Sequence, residues 1–476
     1  MIRSSQAFGL AALGLAAACS PPAATPVTPA PVPAATPAPA PAAFQVPVEY
    51  HTLDNGLRVV LSRDTTAPTA IVAVYYNIGF RIEPRDRTGF AHLFEHMMFQ
   101  GSQNLGKMEF IQLVQKNGGV LNGSTRFDFT NYFEIVPAHT LRTMLWAEAD
   151  RMRGLAIDSV NLANQQAVVK NEVRVNVLNQ PYGGFPWLDM PQYANTNWYN
   201  AHNFYGELED LDAATVEDVR SFFRTYYAPN NAALVVVGDF DPAETLGWIR
   251  EYFAGIPAVP QPEKPDLAEP RQTEEKRFTK TDKLAPRPAL AVAYHMPPRN
   301  SPEYWAMGVL NQILLDGKDS RLYQELVQER ALTGDVNGGI NMLGNMYNYD
   351  GPMLWTAFLF HDRGTSADSV IAAIDEVVER VRTTPVDQAT LDRALVKVRS
   401  DFYEDIEGFV GFGRADLLAS FALFDDDPSR INRIEEQFRQ VTPALLLRTA
   451  QEYLRPTNRT ILLVEPEAAA APQVTP

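Results

Sequence analysis

Apolar positions recur along this chain with two periods, two residues for half-buried strands and about 3.6 for amphipathic helices. The first strong signal is a hairpin over residues 51–63, where Asp54-Asn55-Gly56 precedes the β-rich run Leu57-Arg58-Val59-Val60-Leu61. A second strand is predicted over 70–80. Helical texture covers 89–99 and 108–116, and alternation over 127–136 gives another strand. Helices follow at about 140–154 and 162–177. A helix over 215–227 opens with Thr215 as N-cap and Asp218 in the third position after it. The unbroken apolar run over 232–237 reads as a buried strand ending at Gly238-Asp239.

Residues 257–288 break this texture with prolines, charges and few apolar positions, and read as an interdomain linker. The second half then repeats the style of the first. Strands are predicted over 289–294, 353–360 and 460–464, and helices over 304–315, 322–330, 369–383 and 390–405. No residue-level repeat between the halves stands out. The expected fold class is α+β: two related α/β-sandwich domains, each a mostly antiparallel sheet packed with helices. The expected boundaries are 47–256 for an N-terminal domain, 289–468 for a related C-terminal domain, and 469–476 for a disordered tail.

Ahead of the globular part stand two further segments. Residues 1–19 carry one early positive charge at Arg3, a weakly apolar run and the sequence Leu15-Ala16-Ala17-Ala18-Cys19. That is the layout of a secretory signal, and it resembles a bacterial lipoprotein signal whose Cys becomes the lipidated first residue. Cys19 is the chain's one cysteine, so no intrachain disulfide and no Cys-rich metal site can form. Residues 20–46 are rich in Pro and Ala. Nine of the 36 prolines fall in residues 20–43, which suits an extended tether rather than a folded element. The expected location is therefore the bacterial envelope, facing the periplasm, with Ser20 pointing to outer-membrane sorting and membrane contact only through a lipid anchor. The formal net charge of −16 argues against the phosphate grip of a nucleic-acid binder.

The chemistry concentrates in His92-Leu93-Phe94-Glu95-His96. On a helix, residues four apart share a face, so His92 and His96 reach one ion, and Glu95 lies close to the same side. This inverse of His-Glu-x-x-His suits a catalytic zinc, which needs a third protein ligand and one open position. The helix is otherwise apolar on all sides, so two imidazoles and a carboxylate there call for a partner such as a metal. The third ligand should come from another helix. Glu172 in Val168-Val169-Lys170-Asn171-Glu172 is the leading candidate, and Glu134 and Glu148 are rivals that spacing alone does not remove.

Gly89-Phe90-Ala91-His92-Leu93-Phe94-Glu95-His96-Met97-Met98-Phe99 resembles the active-site helix of the pitrilysin/insulinase family of zinc metallopeptidases. The resemblance extends to Gly118-Gly119-Val120-Leu121-Asn122-Gly123-Ser124-Thr125, Thr130-Asn131-Tyr132-Phe133, Asn179-Gln180-Pro181-Tyr182-Gly183 and Tyr226-Tyr227-Ala228-Pro229-Asn230-Asn231. It covers about residues 47–466 and fits the shorter, two-domain, processing-peptidase-like members. It implies one Zn²⁺ per chain held by His92, His96 and Glu172, with Glu95 as general base. It also implies an edge strand at Asn122, Gly123, Ser124 and Thr125 that pairs with an extended peptide substrate.

Two departures from the family pattern bear on function. Gln165 stands where the family usually has a second Glu supporting the site. Val327 and Gly334 stand where full-length relatives place an Arg and a Tyr that orient substrate. The resemblance therefore implies a partner: a related chain lacking the zinc motif and supplying the Arg/Tyr pair, or a second copy of this chain. The expected activity is endopeptidase cleavage of short or unfolded peptides. The alternative is a non-catalytic peptide-binding subunit. His51, His139, His202, His295 and His361 have no ligand-like partners in the sequence and are expected to be structural or exposed.

Overall fold

A computed structural model describes residues 44–467. The expected signal, the tether up to residue 43 and the tail lie outside the described residues. The first half runs β1 (Glu49–Thr52), β2 (Arg58–Arg63), β3 (Thr69–Tyr76), α1 (Phe90–Met97), α2 (Glu109–Lys116), β4 (Val120–Thr125) and β5 (Thr130–Pro137). It continues through α3 (Leu141–Arg153), α4 (Ser159–Val173), α5 (Asp189–Ala194), α6 (Trp198–Ala201), α7 (Leu208–Ala213), α8 (Val216–Tyr226), β6 (Ala232–Gly238) and α9 (Pro242–Phe253). The second half runs β7 (Lys276–Asp282), β8 (Ala289–His295), α10 (Pro302–Leu314), α11 (Arg321–Tyr323), β9 (Asn337–Ile340) and β10 (Leu354–Phe360). It closes with α12 (Ala367–Thr383), α13 (Gln388–Glu407), α14 (Phe412–Asp425), α15 (Ile434–Arg439), α16 (Pro443–Tyr453) and β11 (Arg459–Pro466).

The strands form two sheets, ordered β1-β2-β6-β3-β5-β4 and β7-β11-β8-β10-β9. With β1 set aside, the two orders are the same path through the chain. Each begins with a parallel pair, β2 with β6 and β7 with β11, and continues antiparallel to its far edge. The fold is thus two α/β-sandwich halves of shared topology. The segment 257–288, read as a linker, also contributes the edge strand β7.

A residue-level repeat accompanies the shared topology, although it does not stand out in the sequence. Thr215, Tyr226, Pro229 and Asn231 recur at identical spacing as Thr442, Tyr453, Pro456 and Asn458, each set leading into the later strand of the parallel pair, β6 or β11. Each Thr caps its helix, accepting the N–H of Asp218 or Leu445. Each Asn donates to the carbonyl of its Tyr, at 2.9 Å for Asn231 and 2.7 Å for Asn458. Each also reaches the end of the neighbouring strand, at Asn77 or His295.

The apolar runs of β3 and β6 are buried on both faces, which requires cover on both sides of the sheet. One face meets helices of its own half, including α1, α3, α4 and α8. The other is covered by α14, which comes from the second half and lies against β2, β3 and β6. The exchange is reciprocal, because α5 of the first half lies on β7, β8 and β11. Phe185, Met190 and Ala194 there meet Ala289, Ala291, Ala293, Leu462 and Val464. Alanine at alternate positions of β8 lets α5 approach closely. Among the described residues, β4 is the far edge of the first sheet and has no strand partner on its outer side.

Candidate metal centre

Helix α1 is positioned at its first turn. Gly89 takes a left-handed conformation, φ +82°, and a Cβ there would lie 2.8 Å from the Tyr205 carbonyl oxygen. Gly206, also left-handed, comes so close that a Cβ would sit 2.3 Å from the Gly89 nitrogen. The fully buried Glu83 carboxylate accepts the N–H groups of Gly89 and Ala91 at 2.9 and 2.6 Å, satisfying two donors the helix cannot pair itself. Phe90, Leu93, Phe94 and Met97 fill the core beneath. Tyr132 donates its hydroxyl to the Phe94 carbonyl at 3.0 Å, tying α1 to β5.

This placement turns His92 and His96 toward α4, their rings 5.0 Å apart. Glu172 on α4 meets both imidazoles, Oε1 at 3.6 Å from His92 Nε2 and Oε2 at 3.2 Å from His96 Nε2. Ligand atoms of the three side chains all lie within 4.8 Å of one another, and they are the one such group of three among the described residues. A tetrahedral ion with bonds of about 2.0–2.2 Å holds its donors roughly 3.3–3.6 Å apart, so two imidazoles and a carboxylate at these separations fit zinc with little adjustment. Hydrogen bonds from His92 and His96 hold the Glu172 carboxyl well below the usual carboxylate range, which keeps it ionised. His92 is buried, and its Nδ1 has no hydrogen-bond partner among the described residues.

The rivals for the third position go elsewhere. Glu134 and Glu148 are fully buried and both engage Arg151, Glu134 at 3.4 Å and Glu148 more closely. The Arg151 guanidinium in turn lies 3.7 Å over the Phe110 ring. Burial and the Glu148 charge push the Glu134 carboxyl well above its ordinary range. This is a buried charge cluster of the core, separate from the imidazoles.

Glu95 accepts a 2.7 Å hydrogen bond on Oε2 from the Thr125 hydroxyl of β4. Beside it Gly123 leaves room that a side chain would close, since a Cβ there would lie 3.3 Å from Glu95 Cγ. Of the four expected edge-strand residues, Gly123 and Thr125 therefore face α1. Asn122 and Ser124 face away, and Ser124 bonds Asn131 at 2.5 Å. Gln165 is buried on α4, but its amide donates to Asn164 at 2.7 Å and makes no hydrogen bond to the imidazoles. His202, expected to be structural, stacks on Trp198 at 4.2 Å with its Nε2 3.8 Å from Glu83.

Tyr205 is a neighbour the sequence gave no reason to single out. Its ring meets the His92 ring at 5.0 Å and the Trp187 ring at 5.6 Å. Glu83 and Gly206 were likewise missed. The signals available were an acidic residue and a glycine flanking the His92 helix and a distant loop, and only the tertiary contact joins them. Val168 on α4 and Val175 in the wider helical turn that continues it flank Glu172 in sequence and are exposed. The second half repeats the scaffold without the donors, for α10 follows β8 as α1 follows β3 but carries no His and no acidic residue beyond Glu303 in its first turn.

A helix pair presenting two imidazoles and a carboxylate beside a free strand edge defines a metallopeptidase-like class of site. Residues 58–197 match the family described as insulinase (peptidase family M16), and residues 213–397 match the one described as peptidase M16 inactive domain. The chain is 27% identical over 429 residues to a zinc protease, PqqE, of Helicobacter pylori, covering 87% of this chain and 92% of that protein. Among solved structures, a protease from H. pylori superposes with a TM-score of 0.79 at 26% identity, over 88% of this chain and 100% of that one. The periplasmic protease PqqL of Escherichia coli superposes with a TM-score of 0.70 at 18% identity, over 89% of this chain but 49% of that one. The chain belongs to the pitrilysin/insulinase family of peptidases.

Proposed function

We propose that the chain is a zinc-dependent endopeptidase of the bacterial envelope that cleaves short or unfolded peptides, with Zn²⁺ held by His92, His96 and Glu172. The observation that carries this reading is the convergence of those three side chains beside Glu95 and a strand edge that has no partner among the described residues. Bound there, zinc would supply a Lewis acid that lowers the pKa of a water and polarises a carbonyl.

The chain's own groups account for the rest. The free edge of β4 offers backbone donors and acceptors to an extended peptide, which suits substrates without folded structure. Exposed Val168 and Val175 give that peptide an apolar wall. The Glu95 carboxylate takes the proton of the attacking water as its oxygen adds to the scissile carbon. The carbonyl π pair moves onto the carbonyl oxygen. When the C–N bond breaks, Glu95 returns the proton to the leaving amine. Thr125 holds the Glu95 carboxylate in place for both transfers.

A paired arrangement belongs to the same reading. Val327 lies in the turn after α11 and Gly334 borders open space, so neither position supplies a guanidinium or hydroxyl from this chain. This chain matches about half of PqqL, which is consistent with activity that needs a second, related chain or a second copy. Lipidation of Cys19 and a periplasm-facing location complete the proposal, and mass spectrometry of the mature N-terminus tests them. An unmodified Cys19 overturns the anchor.

A second reading keeps the fold and drops the chemistry: a non-catalytic peptide-binding subunit. Gln165, bonded to its own neighbour rather than to the site, favours it. Turnover separates the two. The zinc-loaded full chain and its Glu95→Gln variant are offered a mixed library of quenched peptides, alone and with any co-purifying related chain. Cleavage that the variant loses is expected. Cleavage that survives Glu95→Gln overturns the mechanism, and binding without cleavage in every case overturns the peptidase reading.

A further inference from the structure

Three of the large apolar side chains left exposed among the described residues gather on one face of the free sheet edge. Val120 on β4 is 50% exposed, and Phe409 and Val410, in the turn between α13 and α14, are 63% and 74% exposed. Strand register places the first of them. Val120 pairs with Ile135 and Asn122 with Phe133, and paired residues point to the same face of a sheet. Alternation puts Val120, Asn122 and Ser124 on the face opposite Gly123 and Thr125, away from α1. The turn between α13 and α14 is seated on that same face. The Phe412 ring stacks on Phe133 at 3.7 Å, and the Phe409 ring meets Phe133 at 6.0 Å. A Cβ on Gly411 would lie 3.7 Å from Cδ1 of Ile71, the β3 partner of Ile135. Phe409 therefore stands over β5, one strand in from the edge. With strands about 4.8 Å apart, its ring reaches side chains on β4 and on a strand added beyond it.

The protein holds these side chains outward at a cost. Phe409 and Val410 both take left-handed backbone, φ +43° and +58°, which an aromatic and a β-branched residue rarely adopt. Backbone hydrogen bonds fix the turn in that shape, from Gly411 to Glu407 at 3.0 Å, from Phe412 to Phe409 at 3.1 Å and from Gly413 to Gly408 at 2.9 Å. Gly413 approaches the Asp405 carbonyl so closely that a Cβ would lie 1.7 Å from its oxygen. Val410 packs into none of the apolar cores. The fold thus gains nothing from its side chain, although glycine or asparagine would suit that backbone better.

We propose that Val120, Phe409 and Val410 form an apolar subsite that selects substrates by a side chain pointing away from the metal. The inference rests on the peptide-binding role given above to the edge of β4. A peptide paired with β4 sends alternate side chains to the two faces of the sheet. One set points to α1 and the metal ligands. The other points to Val120, Asn122 and Ser124, none of them charged, and to the two side chains of the turn. Continuity with that edge makes the substrate itself the occupant. Glu95 marks the level of the chemistry, since Thr125 donates to it and Gly123 lies against it. Val120 precedes Gly123 by three residues and Thr125 by five. The selected side chain, a Leu or Phe, therefore lies about three to five residues from the scissile bond, on the side where β4 begins.

Matched quenched peptides carrying Leu or Ser at each position in turn, on both sides of the scissile bond, read the subsite in the zinc-loaded full chain. Leu should be favoured over Ser in kcat/KM by about tenfold or more at one such position. Val410→Asn, which suits left-handed backbone and removes no core contact, should cut that ratio severalfold without lowering the melting temperature. Val120→Thr, which keeps the β-branched shape, should cut it as well. A merely structural defect lowers cleavage of both peptides and leaves the ratio as it was. Binding of the same peptides to Glu95→Gln and to Glu95→Gln/Val410→Asn reads the ratio without turnover. A Leu preference in binding that Val410→Asn erodes supports the subsite even if the parent cleaves nothing and the peptidase reading fails. A ratio near one at every position, or a ratio that survives both substitutions, overturns the subsite and leaves the peptidase reading standing. Peptides that are neither bound nor cleaved overturn both. A change of oligomeric state in Val410→Asn, read by sedimentation, makes the patch a contact between chains and overturns its role toward substrate.

Discussion

Thr125 donates to Glu95 across 2.7 Å, so the strand edge that would receive substrate is joined directly to the carboxylate that would move the proton. The same hydroxyl lies 3.4 Å from the Ala91 carbonyl of α1. One residue thus registers β4 against the helix of the metal site. Thr125→Val keeps the shape and removes the donor. Outer partners of this kind are worth about 10- to 100-fold, and kcat/KM should fall by that amount while zinc content stays the same. Steady-state kinetics beside metal analysis checks it. A loss of zinc would instead show that Thr125 holds the helix rather than the carboxylate.

Metal binding should depend on pH in a definite direction. Zinc requires imidazole nitrogens free of protons, and His92 and His96 face Glu172 at 3.6 and 3.2 Å. Affinity should fall as pH drops from about 7 to 5, by up to about tenfold per pH unit for each imidazole that must shed a proton. Calorimetry in buffers of different ionisation enthalpy should show proton release on binding. In the metal-free protein, the depressed Glu172 carboxyl contributes stability that is present above its unfolded value, near 4.3, and is lost as pH falls below it. Glu172→Gln should abolish that acid-side dependence together with tight zinc binding.

Glu83 gives a separate handle on the same helix. Glu83→Ala leaves the buried N–H groups of Gly89 and Ala91 without an acceptor. At about 1–3 kcal/mol for each unpaired group, the variant should melt many degrees below the parent. Glu83→Gln retains one amide oxygen and should recover part of the loss. Thermal unfolding of the metal-free protein measures the cap without the contribution of zinc. An unchanged melting temperature in Glu83→Ala would remove the cap from the account of α1.

Much of the site was legible because its centre is local. His92, Glu95 and His96 lie on one helical turn, where periodicity alone sets their faces. Glu172 was legible only as a candidate, since nothing in the spacing distinguishes it from Glu134 or Glu148. Their exclusion depends on Arg151, which sits among aromatic rings that the sequence does not bring together. Tyr205 reaches His92 through a backbone contact between Gly89 and Gly206, a distant pair that no local pattern joins. Strands with strong apolar runs were readable, as β3, β6 and β8 show. β9, with two glycines in four residues, and the charged β7 were not, because pairing with neighbours rather than their own pattern makes them strands. Helix α14 was not legible because Gly408-Phe409-Val410-Gly411-Phe412-Gly413, with three glycines in six residues, carries no helix-start signal. Three left-handed residues there, Phe409, Val410 and Gly411, turn the chain from α13 into α14.

That turn also sets a pH dependence of stability away from the metal. Asp405, in the last turns of α13, has its carboxyl pushed up to about 7 by burial first and then by the charges of Asp416, Asp401 and Glu404. Asp416 is half-buried, accepts the Tyr75 hydroxyl at 2.7 Å and is reached by Asn348 at 3.2 Å, so it stays in place beside Asp405 at the junction of the two halves. A carboxyl raised above its unfolded value of about 3.9 favours the fold most when it is protonated. Its contribution is fully present below about pH 4 and is lost as pH rises to about 7. On the neutral side the ionised group opposes folding. Asp405→Asn removes that charge and keeps the size, so it should raise the melting temperature at pH 8 by a few degrees, on the order of 1–3 kcal/mol. The same variant should match the parent near pH 4, where both carry a neutral side chain. Melting curves of the two proteins between pH 4 and 8, in the absence of zinc, should therefore converge at the acid end and separate at the other. Curves that run parallel would show that Asp405 is ionised at no cost and that α13 and α14 meet without this strain.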